Sequence, residues 1–111
     1  MAKKDSKFKI EDTKLGDGDE VHSGDYIVIH YHGTLPDGTV FDSSYESGAP
    51  FKTRIGVGEV IDGWDMGVQG MKVGGKRKLT IPSDMGYGDM GSGPIPPKAT
   101  LIFEVELLGV K

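Results

Sequence analysis

Gly86-Tyr87-Gly88-Asp89-Met90-Gly91 matches G-x-G-x-x-G, the pattern of a loop that cradles a dinucleotide pyrophosphate. That chemistry needs a strand before the glycines and a helix after them. Pro94, Pro96 and Pro97 follow instead, so no helix starts there and the run reads as a flexible loop. His30 and His32 share one face of a strand, a spacing seen in metal sites. The chain has no cysteine and no helical histidine pair, so both imidazoles read as a solvated or hydrogen-bonded outer face, and no metal is expected. Ser43 and Ser44 lack the strand-to-helix turn of a nucleophile elbow, and no spacing ties a histidine to them. Lys76-Arg77-Lys78 reads as a charge cluster on a sheet edge rather than a basic address patch. What remains is aromatic. Tyr31, Phe41, Phe51, Trp64 and Phe103 fall on inward faces, and Tyr87 sits on a loop that could close over them. Tyr31, Phe41 and Asp42 stand near strand ends, where pockets are built. Two readings stay open: a plain aromatic core, or an apolar concavity with a few polar groups, the usual form of a ligand site.

The element that must position this set lies within residues 56–71. Ile61, Trp64, Val68 and Met71 recur at i, i+3, i+7 and i+10, one face of a helix. Asp62 is placed to cap its N-terminus, with Asp65 at the capping-box position and favourable to the helix dipole. Gly63, Gly67 and Gly70 together cost roughly 2–3 kcal/mol against alanine, so a helix this short forms only when its stripe is buried. The glycines allow the covering layer to come close.

That layer is sheet. Phe8-Lys9-Ile10-Glu11 alternates as a short edge strand. Tyr26 to His32 is the strongest strand signal, with Ile27, Ile29 and Tyr31 on the core face. Leu35-Pro36-Asp37-Gly38-Thr39 is a turn, because proline pre-sets the first bend and glycine supplies positive φ. Strands follow at Val40–Ser44 and Phe51–Ile55, with a polar loop between them. Lys76–Ile81 puts Leu79 and Ile81 inward and Arg77 on the same side, where it needs a carboxylate partner. Residues 82–99 form a long loop of a length usually reserved for function. Thr100–Leu107 alternates with Leu101, Phe103, Val105 and Leu107 inward. The expected fold class is α+β, an antiparallel sheet with one short helix on its face.

The 111 residues amount to one domain, read as residues 8–111 behind a solvated arm of residues 1–7. Eighteen glycines and six prolines without a repeat indicate many tight turns. The absence of cysteine excludes disulfides and thiolate metal sites. A formal net charge of -4 argues against nucleic acid and anionic lipid as partners. No apolar run is long enough for a signal peptide or a membrane span, which gives a cytoplasmic location as the expectation. A monomer is the default, since one core accounts for the apolar positions.

Taken together, several segments resemble the FKBP-type peptidyl-prolyl isomerases over about residues 8–110. They are Val28-Ile29-His30-Tyr31-His32-Gly33, Val40-Phe41-Asp42-Ser43-Ser44, Pro50-Phe51, Val60-Ile61-Asp62-Gly63-Trp64, Gly86-Tyr87-Gly88 and Ile95-Pro96-Pro97-Lys98-Ala99-Thr100-Leu101. The resemblance implies a five-stranded antiparallel sheet wrapped around a short helix, with an apolar pocket between them for a prolyl ring. It implies Trp64 as the pocket floor, Tyr31, Phe51, Val60 and Phe103 as its lining, and Phe41 beside them. It further implies that the Ile61 backbone N–H and the Tyr87 hydroxyl donate to substrate carbonyls, with Asp42 near the twisting amide. Ile95 would belong to an overhanging loop, which looks one residue shorter here than in the common family pattern. The implied activity is rotation of X–Pro bonds without metal or cofactor. The implied partners are proline-containing polypeptides and macrolides such as tacrolimus and rapamycin. A binding or chaperone module with little turnover is the alternative.

Overall fold

A computed structural model describes residues 8–111; the arm of residues 1–7 lies outside the described residues. Among the described residues six strands form one antiparallel sheet: β1 (Lys9–Lys14), β2 (Tyr26–Thr34), β3 (Val40–Ser43), β4 (Phe51–Arg54), β5 (Lys76–Ile81) and β6 (Leu101–Val110). Their order is β1-β5-β6-β2-β3, and β4 also pairs with β2. Both β3 and β4 lie along the same side of β2. His32 pairs with Ser43 toward one end, and Ile29 pairs with Phe51 toward the other. The sheet therefore has five lanes, as expected, with the outer one broken in two. The break is a single helical turn, α1 (Ser44–Ser47), where the sequence reading had a loop. Gly48 ends it in the left-handed region with φ 83°, a conformation that suits glycine at a helix C-terminus.

The inner face follows the alternation. Ile27, Ile29, Leu79, Ile81, Leu101, Phe103, Val105 and Leu107 are buried and pack with Trp64, Val68 and Met71. Side chains of this size contribute roughly 1.5–3 kcal/mol each on full burial, which holds a helix too short to persist alone. That helix is α2 (Asp62–Gly67). A Cβ added at Gly63 would lie 2.6 Å from Ile81 Cδ1, and one at Gly67 would lie 2.9 Å from Leu79 Cδ2. The glycines thus let the helix backbone press onto β5, and their helical cost is offset by that contact.

Three sequence expectations change. Asp62 is the first helical residue and not the cap; Ile61 holds the cap position, and no side chain among the described residues caps the turn. Asp65 likewise turns away from the box role. Its two carboxylate oxygens accept the N–H groups of Gly56 and Gly58, each at 2.8 Å. Lys76-Arg77-Lys78 does not form a sheet edge, because β1 covers β5 and takes the edge itself. There Lys76 and Lys78 stand opposite Glu106 and Glu104 of β6, cross-strand charge pairs that favour this register. Arg77 does find its carboxylate: its Nε donates to Asp12 Oδ1 at 2.6 Å. Its Nη1 donates to the carbonyls of Gly67 and Gln69, both at 2.8 Å, which ties β1 and β5 to the end of α2. No helix among the described residues is long and apolar enough to cross a membrane.

Candidate active site

Between α2 and the inner face of the sheet lies a cavity of about 630 Å³, open to solvent and within the size range of small-molecule pockets. Each of the ten residues that the family resemblance assigned to the pocket lines it. β2 delivers Tyr31, β3 delivers Phe41 and Asp42, and β4 delivers Phe51. Val60 and Ile61 come from the loop before α2, Trp64 from its first turn and Phe103 from β6. Tyr87 and Ile95 come from the long loop between β5 and β6. The question left open by composition, filled core or concavity, is thereby decided for a concavity.

The walls are built edge to face. Trp64 is 4% exposed, and its ring meets Tyr31 at 5.3 Å and 77°, Phe51 at 5.8 Å and 81°, and Phe103 at 5.4 Å and 88°. Phe41 meets Phe103 at 5.4 Å and 89°. Perpendicular rings satisfy the aromatic quadrupoles, and together these side chains line one cavity. Phe51 and Tyr87 stand exposed at the mouth. Ile95 is buried, held where Ser92 and Ile95 exchange backbone hydrogen bonds of 3.0 and 2.8 Å. The Trp64 Nε1–H is buried and has no hydrogen-bond partner among the described residues.

Polar groups are few and placed at the rim. The Tyr31 hydroxyl donates to Asp42 Oδ2 at 2.8 Å. Burial, then the hydrogen bond to Asp42 and that carboxylate's negative charge, push the Tyr31 phenol up to about 12. At neutral pH it therefore stays a donor and fixes the carboxylate at the pocket edge. The Ile61 N–H has no acceptor among the described residues, and its residue lines the cavity. The Asp65 clamp on Gly56 and Gly58 shapes the loop that presents it. Both glycines have positive φ, 87° and 81°, so the carboxylate holds a conformation that most residues resist. Sequence reasoning missed four lining residues, Gly58, Glu59, Ser92 and Pro94. Glu59 was legible as part of the run before Trp64; the loop residues carried no chemical signal of their own.

The histidines lie on the other side of the sheet. His30 Nδ1 is 2.8 Å from Ser44 Oγ, and His32 Nδ1 is 3.1 Å from Ser43 Oγ. His30 also stacks on Tyr45 at 4.5 Å. Among the described residues no group of three or more His, Cys, Asp or Glu side chains could hold a metal ion.

A sequence profile of the FKBP-type peptidyl-prolyl cis-trans isomerases matches residues 18–108. The chain belongs to this family. It is 60% identical over 102 residues to an FK506-binding protein of Neisseria meningitidis, covering 91% of this chain and 94% of that one. It is 58% identical over 105 residues to the peptidyl-prolyl cis-trans isomerase FKBP15-2 of Arabidopsis thaliana, covering 94% of this chain and 62% of the relative. Among solved structures it is similar to AtFKBP13, with a TM-score of 0.88 and 44% identity over 94% of this chain and 93% of the other. FkpA from Escherichia coli matches with a TM-score of 0.87 and 43% identity, over 94% of this chain and 48% of the other. Family membership at this identity and coverage makes the chain a peptidyl-prolyl cis-trans isomerase of the FKBP type.

Proposed function

We propose that the cavity above Trp64 is the isomerase site and that it accelerates X–Pro rotation by desolvation and by binding the twisted amide. The observation that carries this reading is the meeting of the whole aromatic set with Asp42, Tyr87 and the Ile61 N–H around one opening. An X–Pro amide retains most of a rotational barrier of ~18–20 kcal/mol, which arises from C–N double-bond character and the charge separation that goes with it. Walls made of Trp64, Phe103, Tyr31 and Phe51 take the amide out of water and disfavour the charge-separated planar form relative to the twisted one. Only interactions stronger in the twisted state raise the rate. In this reading the prolyl ring rests on the Trp64 indole, among Val60, Phe41 and Phe103. The Ile61 N–H and Tyr87 hydroxyl donate to flanking carbonyls. Asp42, held by Tyr31, faces the rotating amide, and Ile95 closes the side. No proton transfer or covalent step is required of these residues.

The substrates are proline-containing polypeptides, and macrolides such as tacrolimus and rapamycin would occupy the same hollow. The name of the Neisseria meningitidis relative, an FK506-binding protein, supports that extension. The test is a proline-peptide isomerisation assay at low temperature, with rapamycin titrated in and Trp64 fluorescence recorded in parallel. Acceleration over background that falls as the fluorescence saturates is expected. Turnover unaffected by a saturating ligand would place the chemistry elsewhere, and binding without turnover would leave a recognition module.

A further inference from the structure

Among the described residues, β2 has strand partners along this side except at one place. Ile29 pairs with Phe51 of β4 and His32 with Ser43 of β3, so the chain between them faces the break in the outer lane. The backbone groups directed into that break are those of Tyr31, the residue that holds Asp42. Instead of a strand, a hydroxyl meets them. The Tyr31 N–H donates to Ser44 Oγ at 2.7 Å, and Ser44 Oγ lies 3.2 Å from the Tyr31 carbonyl as its donor. Ser44 is 3% exposed, so no solvent replaces it. His30 Nδ1 completes the shell at 2.8 Å. One hydroxyl proton and two lone pairs match these three partners when His30 carries its own proton on Nδ1, an assignment made from hydrogen-bond balance.

The local sequence would use these serines differently. Ser43 holds the N-cap position of α1, yet its side chain does not cap that turn. Both hydroxyls are drawn to β2 instead, with Ser43 Oγ reaching the Tyr31 carbonyl only at 3.5 Å. We infer that Ser44 is a positioning residue for catalysis: its hydroxyl takes the place of the missing strand at Tyr31 and thereby fixes the Tyr31–Asp42 pair at the pocket rim. The inference rests on the proposed role of that pair.

Ser44→Ala, Ser44→Thr and Ser43→Ala are compared for kcat and KM on a proline peptide, and Tyr31 ionisation is followed by NMR of labelled tyrosine. Ser44→Ala lowers kcat about tenfold while KM changes less than about twofold, because a misplaced group costs turnover more than ground-state binding. In the same variant the Tyr31 phenol titrates below its wild-type position. Ser44→Thr keeps the hydroxyl and restores most of both readouts; Ser43→Ala, which removes the longer contact, leaves kcat within about twofold. Should the alanine variant fail to fold, Ser44→Cys, near in size but a weak acceptor, is set against Ser44→Thr in the same way. Wild-type kcat and an unmoved phenol titration in Ser44→Ala, or a threonine no better than alanine or cysteine, overturns the inference. Asp42→Asn separates the two levels: full turnover there sinks the role of the pair, while the phenol titration still reports whether Ser44 holds Tyr31.

Discussion

Replacing Asp65 by asparagine tests whether one buried carboxylate organises the loop that leads into the site. The residue is 9% exposed, and each of its carboxylate oxygens takes one backbone N–H at 2.8 Å, from Gly56 and Gly58. Asparagine keeps one acceptor and turns an NH₂ group toward the other N–H. One charge-assisted hydrogen bond of about 1.5–3 kcal/mol is lost, and a buried donor is left without a partner at about 1–3 kcal/mol. The negative charge in the first turn of α2 is also removed, worth about 0.3–1 kcal/mol. Allowing for relaxation of the loop, the net destabilisation is about 2–4 kcal/mol, or a fall in Tm of roughly 10–20 °C for a domain of this size. Urea denaturation followed by Trp64, the single tryptophan, gives the free energy. Amide exchange at Gly56 and Gly58 gives the local consequence, and both amides lose protection. A variant within about 0.5 kcal/mol of wild type, with both amides still protected, would refute the clamp.

Asp42→Val is expected to cut turnover about tenfold or more while costing at most about 1 kcal/mol of stability, since the Tyr31–Asp42 bond lies in an exposed setting. Parallel activity and denaturation measurements decide it, and equal losses would contradict the assigned role. Trp64→Leu and Phe103→Tyr should both weaken rapamycin binding, the first by removing the floor and three ring contacts, the second by adding a hydroxyl to a side chain 4% exposed; calorimetric titration checks this. Tyr31 and Tyr45 are both raised to about 12, by burial first and then by Asp42 and Glu106 respectively. A raised folded value means the contribution is intact below the ordinary phenol value of 10.0 and is lost as pH climbs through about 12. Stability should therefore drop across that window, and less so in Tyr31→Phe.

The parts of this molecule legible in its sequence are those set by short-range periodicity. Ile27 and Ile29, or Leu101 through Leu107, alternate because a half-buried strand must, and the structure buries them accordingly. The stripe of Ile61, Trp64, Val68 and Met71 located the helix, though only Trp64 lies inside it. Val68 and Met71 are buried beyond its end, where the Met71 N–H reaches the Val68 carbonyl in a tighter turn. What the sequence hid depends on which segments become neighbours. Lys76-Arg77-Lys78 reads as an edge until β1 is laid beside it. Asp65 reads as a helix-start residue until the backbone at Gly56 and Gly58 curls over it. Ser44 has no visible task until the gap between β3 and β4 opens beside Tyr31. The aromatic set was legible as inward-facing, but whether those rings fill a core or frame a hollow depends on how the strands, α2 and the long loop are brought together, which no spacing within one segment encodes.

The most direct test of the central claim is a set of NOE contacts between a proline-containing peptide and the protein, recorded while exchange spectroscopy follows its cis-trans interconversion. Prolyl ring protons should contact the Trp64 indole and Phe103, with interconversion faster than in free peptide. Accelerated interconversion without any contact between the prolyl ring and Trp64 would contradict the account.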